Sequence, residues 1–136
     1  MGIKVQEFMT TKIEFVEADR SVYDAVEKMV DRRIRSVVVR FPGKTAEYGV
    51  MTTRDIVFRV LAKGINPKDV KASEIASKPV VSVDRDLDVE EAAKLMANSN
   101  IARLFVRDGD RIVGLVSLLD IMSAELIIRA RGDHGF

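Results

Sequence analysis

The sequence contains no cysteine and a single histidine, His134, which lies in the polar C-terminal tail. Disulfide bonds, thiolate metal sites and cysteine nucleophiles are therefore excluded, and no histidine is placed for acid–base catalysis. No apolar run is long enough to cross a bilayer. The N-terminal residues also lack the basic, apolar and small-residue pattern of a signal peptide, which predicts a cytoplasmic protein without a membrane partner.

The chain also has no excess of charge of one sign. Its 22 lysines and arginines balance 21 aspartates and glutamates, so the formal net charge is +1. Such a balance does not favour nucleic acid or an anionic membrane as a partner. The charged stretch Lys28–Arg35 is more typical of the polar face of an amphipathic helix, although a nucleic-acid-associated regulator stays an alternative.

An internal repeat is the main positive feature of the sequence. Displaced by 67 residues, Val5–Arg40 aligns with Ala72–Arg107 without a gap, and nine of the 36 aligned positions are identical. Average composition would give roughly two identities by chance. The first copy then has two extra residues in the turn Phe41–Lys44, after which the alignment resumes at an offset of 65. We predict repeats at 1–64 and 65–130, with a polar tail at 131–136.

Each repeat shows the pattern of a βαββα unit. Hydrophobic periodicity indicates a strand, an amphipathic helix, two strands joined by a turn, and a closing helix. Ser21 and Asp88 are the predicted N-caps of the first helices, and Asp108-Gly109 is a hairpin-turn signal. The predicted apolar stripes of those helices are Val22, Ala25, Val26, Met29 and Val30, and Val89, Ala92, Ala93, Met96 and Ala97. The other predicted elements are strands Ile13–Val16, Val37–Arg40, Tyr48–Met51, Val80–Val83, Leu104–Arg107 and Ile112–Val116, and closing helices from Thr53 to about Lys63 and from Leu118 to about Arg129.

The second closing helix is apolar nearly all round between Leu118 and Ile128. A helix of this kind is buried on more than one side. In so short a chain the second buried side is expected against another subunit, which predicts a homodimer.

A short motif recurs where the third strand of each repeat meets the closing helix. Gly49–Asp55 and Gly114–Asp120 both read glycine, two apolar residues, a hydroxyl residue, two variable residues and aspartate. The hydroxyl and the free amides of a helix start suit a phosphate, and an ionised aspartate can accept both hydrogens of a ribose diol. The glycine would let the backbone approach a ligand or bend the strand.

The same motif has a simpler interpretation. A hydroxyl followed three residues later by an acid is nearly a capping box, which stabilises a helix start without binding anything. Its duplication, with aspartate instead of the preferred Glu or Gln, favours binding, and the two roles can coexist.

The whole chain apart from its ends resembles a pair of cystathionine-β-synthase (CBS) domains, a Bateman module. The resemblance rests on Pro79–Ala92, Ile101–Val106 and Gly114–Asp120, and on Ile13–Asp55 on the same plan. It implies an α+β fold in which two repeats pack sheet to sheet about a pseudo-twofold axis, with two clefts between them. Such modules pair into flat dimers, bind AMP, ADP, ATP or S-adenosyl compounds, and regulate an attached or associated enzyme, channel or transporter.

The resemblance also implies roles for individual residues. Asp55 and Asp120 would hold ribose hydroxyls, Thr52 and Ser117 would hold phosphate, Val37 and Leu104 would line the adenine slot, and the backbone near Glu14 and Val81 would bond the adenine edge. Two departures stand out: many members have proline where Val38 and Phe105 stand, and Leu118-Leu119 replaces the Thr53-Arg54 of the first copy. The first site is therefore expected to suit phosphate better, unless Arg103 compensates in the second.

The function predicted from these residues is regulatory and not enzymatic. We expect an adenosyl ligand, no required cofactor, no catalytic residue, no metal site and a regulated partner protein that the sequence does not identify. A structural dimer with empty clefts is the other alternative.

Overall fold

The computed structural model describes residues 2–43, 47–78 and 80–132. It confirms an α+β fold built from two βαββα-like repeats, each with a three-stranded mixed sheet. Some residues named above lie outside the described residues: Lys44 of the predicted turn, Pro79 of the segment Pro79–Ala92, and His134 with the rest of 133–136.

One compact unit is formed by residues 13–80. Its sheet has the order β1-β2-β3, in which β1 runs parallel to β2 and β2 runs antiparallel to β3. A four-residue helix, α3, and a short 3₁₀ turn follow the closing helix. The elements are β1 Phe15–Glu17, α1 Val22–Arg32, β2 Ser36–Phe41, β3 Glu47–Thr52, α2 Thr53–Ile56, a π-helical continuation Val57–Leu61, the 3₁₀ turn Pro67–Asp69 and α3 Ala72–Ile75.

The other unit combines the N-terminal residues 2–12 with the described residues from Val81 onward. Its sheet order, β4-β5-β6, and its strand directions repeat those of the first unit. The tight turn at Asp108-Gly109 is present, with Gly109 at a φ of +61°. The elements are a 3₁₀ turn Val5–Glu7, β4 Ser82–Asp84, α4 Val89–Ser99, β5 Arg103–Asp108, β6 Arg111–Ser117 and α5 Leu118–Ala130.

The predicted N-caps are both in position, but only one caps with its side chain. The Ser21 hydroxyl accepts a hydrogen bond from the Asp24 amide at 3.4 Å. The Asp88 carboxylate instead accepts from Lys4 Nζ at 2.9 Å, and this hydrogen bond raises the pKa of Lys4 above its usual value. A lysine from far along the chain therefore competes with the helix start for the carboxylate.

Three residues of each predicted apolar stripe are buried as expected. Val22, Ala25 and Met29 on α1, and Val89, Ala92 and Met96 on α4, lie in the cores of their units. The prediction is wrong for Val30, whose side chain is 69% exposed, and for Ala97, which is exposed. Both residues lie one position past the final core methionine, where the helix has turned this face toward solvent.

The compact units do not coincide with the sequence repeats 1–64 and 65–130, because the first residues of each repeat pack in the unit that contains the other repeat's sheet. Val5 is fully buried in the core around β4–β6, and its amide donates to the Leu87 carbonyl at 2.8 Å. Its repeat equivalent, Ala72, is fully buried in the core around β1–β3 and donates to the Arg20 carbonyl at 2.7 Å. We call residues 3–10 and 70–77 the entry segments. The apolar residues of each entry segment are buried in or packed against the core of the unit that contains the other repeat's sheet.

The closing helices differ between the repeats. The first begins at Thr53 as predicted but changes to a π-helix at Val57, where the Ala62 amide donates to the Val57 carbonyl at 2.8 Å. The second is α-helical from Leu118 to Ala130. It buries Ala124 and Ile128 and packs Ile121 against the same core, while its exposed apolar residues are Leu118, Leu119, Met122, Leu126 and Ile127. Across the described residues, neither closing helix, nor any other, combines the length and apolarity of a membrane span.

Candidate functional site

In the first repeat, Thr52 and Asp55 form a complete capping box at the start of α2. The Thr52 amide donates to Asp55 Oδ2 at 2.9 Å, and the Asp55 amide donates to Thr52 Oγ1 at 3.2 Å. The Thr52 hydroxyl also donates to Asp55 Oδ2 at 2.9 Å. The simpler interpretation of the motif, a helix cap, is therefore confirmed for this repeat.

Ser117 and Asp120 repeat this geometry at the start of α5. The three corresponding distances are 2.8, 3.3 and 3.0 Å. All four side chains are half-buried, so each box is stabilised by partial exclusion of water but is still reachable from solvent. The duplication seen in the sequence is thus a duplication of local structure.

The boxes leave one carboxylate oxygen on each aspartate outside the network. Every hydrogen bond of the two boxes that involves a carboxylate uses Oδ2, so Oδ1 of Asp55 and of Asp120 is not part of either box. An ionised carboxylate oxygen of this kind can accept hydrogen bonds from a hydroxyl-bearing ligand. Capping and ligand binding are therefore chemically compatible in the same residue.

The helix amides are less available than the motif suggested. The Thr53 amide donates to the Arg35 carbonyl at 3.0 Å, and the Asp55 amide is held by the box. In the second repeat the Leu118 amide donates to the Ala102 carbonyl at 3.2 Å in the same way. A phosphate at either helix start would consequently depend on nearby cations more than on a row of free amides, and the hydroxyl would bind it only by turning its proton away from the aspartate Oδ2.

The two helix starts differ in the side chains beside them. Arg54 is exposed and its guanidinium lies 4.5 Å from the centre of the Phe58 ring, a cation–π contact. At the corresponding place in the second repeat stands Leu119, which is 69% exposed. Arg103 is half-buried and lies opposite Ser117 in the pairing of β5 with β6. The first site therefore has an exposed cation, Arg54, on its helix, and the second has a half-buried cation, Arg103, on the neighbouring strand.

Val37 and Leu104 lie in the cores of their units. Their exposed fractions are 1% and 0%, and each packs in the hydrophobic cluster under its helices. Only their backbones could take part in a binding site. The carbonyls of Glu14 and Val81 already accept the amides of Val38 and Phe105, at 2.9 and 3.0 Å. Each carbonyl keeps a second lone pair, so an adenine edge would have to share these oxygens.

The motif glycines make room for the entry segments. A Cβ atom on Gly114 would overlap the Met9 side chain, with Cγ only 2.8 Å away, and one on Gly49 would lie 3.0 Å from the Ser77 carbonyl. Thr10 and Leu115 exchange backbone hydrogen bonds at 2.8 and 3.0 Å, as Ser77 and Val50 do at 2.9 Å. The close approach expected at these glycines is thus made by the protein's own entry segments, through the Met9 side chain at Gly114 and the Ser77 carbonyl at Gly49.

The entry segments were missed as part of the site region. They run beside β3 and β6, two residues before Thr52 and Ser117. The signal was present in the alignment, which starts at Val5 and Ala72, well before the first predicted strand of either repeat.

The comparison with protein families assigns this architecture. The model of the CBS domain family matches residues 5–62 and 72–127. The chain belongs to the CBS domain family. CBS domain pairs are generally regulatory and typically non-catalytic, and the family commonly binds adenosyl ligands. Both matched ranges begin inside or next to an entry segment, so the family pattern includes these segments.

Individual CBS proteins show the same relationship. Protein MK0525 of Methanopyrus kandleri is 40% identical over 99 residues, which are 72% of this chain and 50% of that protein, so the chain spans about half of this relative. The CBS domain-containing protein YhcV of Bacillus subtilis is 31% identical over 86% of this chain and 81% of its own length. The crystal structure of a hexameric CBS-CP12 protein from bloom-forming cyanobacteria superposes with a TM-score of 0.81 at 35% identity, covering 90% of this chain and 67% of that one.

Proposed function

We propose that this CBS pair is a regulatory module that binds an adenine nucleotide or an S-adenosyl compound and controls a partner protein. The observation that carries the proposal is the recurrence of the hydroxyl–aspartate arrangement, with one uncommitted carboxylate oxygen, at equivalent points of both repeats. A helix cap alone would not require an aspartate at both places, because Glu or Gln is preferred there.

The proposed roles divide between the aspartates and the hydroxyls. Oδ1 of Asp55 and of Asp120 accepts from ribose hydroxyls, while Oδ2 keeps the helix cap. The hydroxyls of Thr52 and Ser117 donate to the phosphate, or to the group that replaces it, when a ligand is bound. Arg54 favours a phosphorylated ligand at the first site, whereas Leu118 and Leu119 favour a less charged ligand at the second. Arg103, opposite Ser117 on the neighbouring strand, is the candidate cation there.

The test is the identity of the ligand that the protein carries and prefers. Small molecules released by heat from the purified protein are identified by mass spectrometry, and the melting temperature is measured with AMP, ADP, ATP, S-adenosylmethionine and GTP. A ligand at 100 times its dissociation constant stabilises the folded state by about 2.7 kcal/mol. An adenosyl compound should therefore raise the melting temperature well above the shift given by GTP.

Two results would contradict this proposal. One is no released ligand together with no shift from any adenosyl compound. The other is equal stabilisation by all nucleotides that tracks phosphate number and fades with added salt, since screening by salt marks unspecific ionic binding.

A second candidate function is a structural dimerisation module, and the surface of α5 favours it. Leu118, Leu119, Met122 and Leu126 are each more than half exposed, with fractions of 53%, 69%, 67% and 73%. The CBS-CP12 relative is hexameric. We propose that this chain forms a homodimer, in addition to its ligand-binding role, by covering this apolar surface.

A further inference from the structure

A groove with a volume of about 770 Å³ lies between β1 and α1 in the unit of residues 13–80. One wall is the strand segment Ile13–Glu17, and the other is the flank of α1 that carries Asp24, Glu27, Lys28 and Asp31. Neither Thr52 nor Asp55 lines it. The groove therefore excludes the hydroxyl–aspartate pair, although its strand wall includes Glu14, whose carbonyl is a candidate for the adenine edge.

The strand wall is an unpaired sheet edge. Among the residues that the structure describes, β1 pairs with β2 alone. The backbone groups that face β2 belong to even-numbered residues, as in the bond from the Val38 amide to the Glu14 carbonyl. The backbone groups of Phe15 and Glu17 consequently point away from β2. Lys28 Nζ, reaching over from α1, donates to the Phe15 carbonyl at 2.6 Å, which shows that this edge faces the groove. An edge of this kind is a template for an added strand.

The groove is acidic, unlike the chain as a whole. Five acids and three cations line it. Each cation is paired with an acid of the same groove: Arg20 with Asp24 at 2.7 Å, Arg40 with Glu17 at 2.8 Å, and Lys28 with Glu14 at 3.9 Å. Within the described residues, Glu27 and Asp31 have no ion pair, and they lie one helical turn apart on the same flank. The unbalanced charge therefore sits opposite the strand edge.

The second repeat does not keep this chemistry. At the positions equivalent to Glu14, Glu27 and Asp31 it has Val81, Lys94 and Asn98. The edge carbonyl of Ser82, equivalent to Phe15, accepts from Arg107 Nη1 at 2.9 Å. The acidic edge groove is thus a property of one repeat, and the other repeat serves as an internal control.

We propose that this groove binds an extended, lysine- or arginine-rich segment of a partner protein, which adds to the free edge of β1 as a fourth strand. Backbone hydrogen bonds to the amide and carbonyl of Phe15 and to the amide of Glu17 hold the segment, while the Glu17 carbonyl keeps its bond from the Arg20 amide at 3.0 Å. The alternate basic side chains of the segment reach Glu27 and Asp31. Lys28 leaves the Phe15 carbonyl to the incoming amide and keeps its pairing with Glu14.

The test uses the full chain and a fluorescent heptapeptide of alternating lysine and valine. Two control peptides have glutamate in place of lysine, or the same sequence with N-methylated amides that cannot extend a sheet. Glu27→Lys/Asp31→Asn installs the residues of the second repeat on exposed positions, and Lys94→Glu/Asn98→Asp is the matched change on the other repeat. Binding is followed by fluorescence anisotropy, and the site by NMR shifts of the Phe15 and Glu17 amides.

We expect the lysine–valine peptide to bind and to shift the Phe15 and Glu17 amides, and both control peptides to fail. Glu27→Lys/Asp31→Asn should weaken binding by about tenfold or more, because it reverses the local charge, whereas the change at Lys94 and Asn98 should not weaken it. The proposal is overturned if the peptide does not bind, if the N-methylated peptide binds equally well, or if the variant at Glu27 and Asp31 binds as wild type does.

Discussion

Asp55 and Asp120 have two roles that a single substitution to alanine would remove together. Oδ2 closes the capping box in each repeat, and Oδ1 is the proposed ribose acceptor. Asparagine can retain one oxygen for the box but has lost the charge and one acceptor. The asparagine and alanine variants therefore separate the cap from the ligand site.

We expect Asp120→Ala to lower the unliganded stability by about 0.5–2 kcal/mol, the usual cost of a lost cap, and Asp120→Asn to lower it much less. Both should weaken adenosyl-ligand binding by about tenfold or more, since a charge-assisted hydrogen bond contributes about 1.5–3 kcal/mol. Chemical denaturation and titration calorimetry give the two quantities. Asp55→Asn is the matched variant in the first repeat and should affect phosphorylated ligands more, because Arg54 adjoins it. Unchanged affinity in both asparagine variants would restrict these residues to capping.

Gly114 is constrained by a side chain and Gly49 by backbone. The Cβ of Gly114→Ala would overlap Met9, whereas that of Gly49→Ala would press on the Ser77 carbonyl. We expect Gly114→Ala to destabilise the protein by about 1–3 kcal/mol, as overpacking usually does, and Met9→Ala to restore part of this loss in the double variant. Thermal or urea unfolding of the two single variants and the double variant measures the coupling. Strict additivity would show that Met9 is not the obstacle.

At the scale of elements, the order βαββα, the strand pairs and the hairpin at Asp108-Gly109 could be predicted from periodicity and turn residues. The boundaries moved by one or two residues, as when Ile13–Val16 became Phe15–Glu17, because hydrogen bonding to β2 and not hydrophobicity defines the strand. The π-helical turns after Ile56 could not be predicted, since Val57 and Phe58 are compatible with an ordinary α-helix. The exchange of entry segments could not be predicted either, because local patterns identify a buried residue such as Val5 but not the core in which it is buried.

The exchange leads to a prediction about which repeat each entry segment stabilises. Val5 belongs to the first repeat in sequence but is fully buried in the unit that contains β4–β6. We expect Val5→Ala to lower stability by about 1–3 kcal/mol, through lost burial and a residual cavity. Hydrogen–deuterium exchange should show faster exchange in β4–β6 than in β1–β3. The reverse pattern would mean that the N-terminal entry segment stabilises its own repeat. Ile75→Ala, in the other entry segment, is the matched variant and should loosen β1–β3.

At the scale of the whole molecule, the sequence identifies the family and the fold but not the ligand. The repeat and its motif are long, duplicated patterns, so the family can be recognised even where single positions differ from its pattern. Which ligand binds depends on differences of a few tenths of an ångström in the positions of Thr52, Asp55 and their neighbours. It also depends on amides such as that of Thr53, whose hydrogen-bond partners only the fold determines. The alternative interpretation of the motif as a helix cap is therefore confirmed, the expectation of free helix amides is wrong for Thr53 and Leu118, and ligand binding at these residues stays a prediction.

The surface of α5 gives the final prediction, which concerns assembly. The helix was predicted to be buried on more than one side, and among the described residues it is buried on one side, through Ala124 and Ile128 with Ile121 packed beside them. If a second subunit covers the rest, Leu126→Glu should place a charge in an apolar interface and shift the protein toward monomer. Sedimentation at micromolar concentration should show a dimer for the wild type and a species near 15.2 kDa for the variant.

Val30→Glu is the control for this experiment, since Val30 is 69% exposed on α1, close to the 73% of Leu126, and belongs to a different unit. It adds the same charge to an exposed apolar position without touching α5, so it should leave the dimer intact. Because both substitutions replace exposed residues, neither should change the unfolding free energy of the separate chain by more than about 0.5 kcal/mol. A wild-type monomer, or a Leu126→Glu variant that stays dimeric, would show that α5 is not the dimer surface, and its apolar face would then need another occupant.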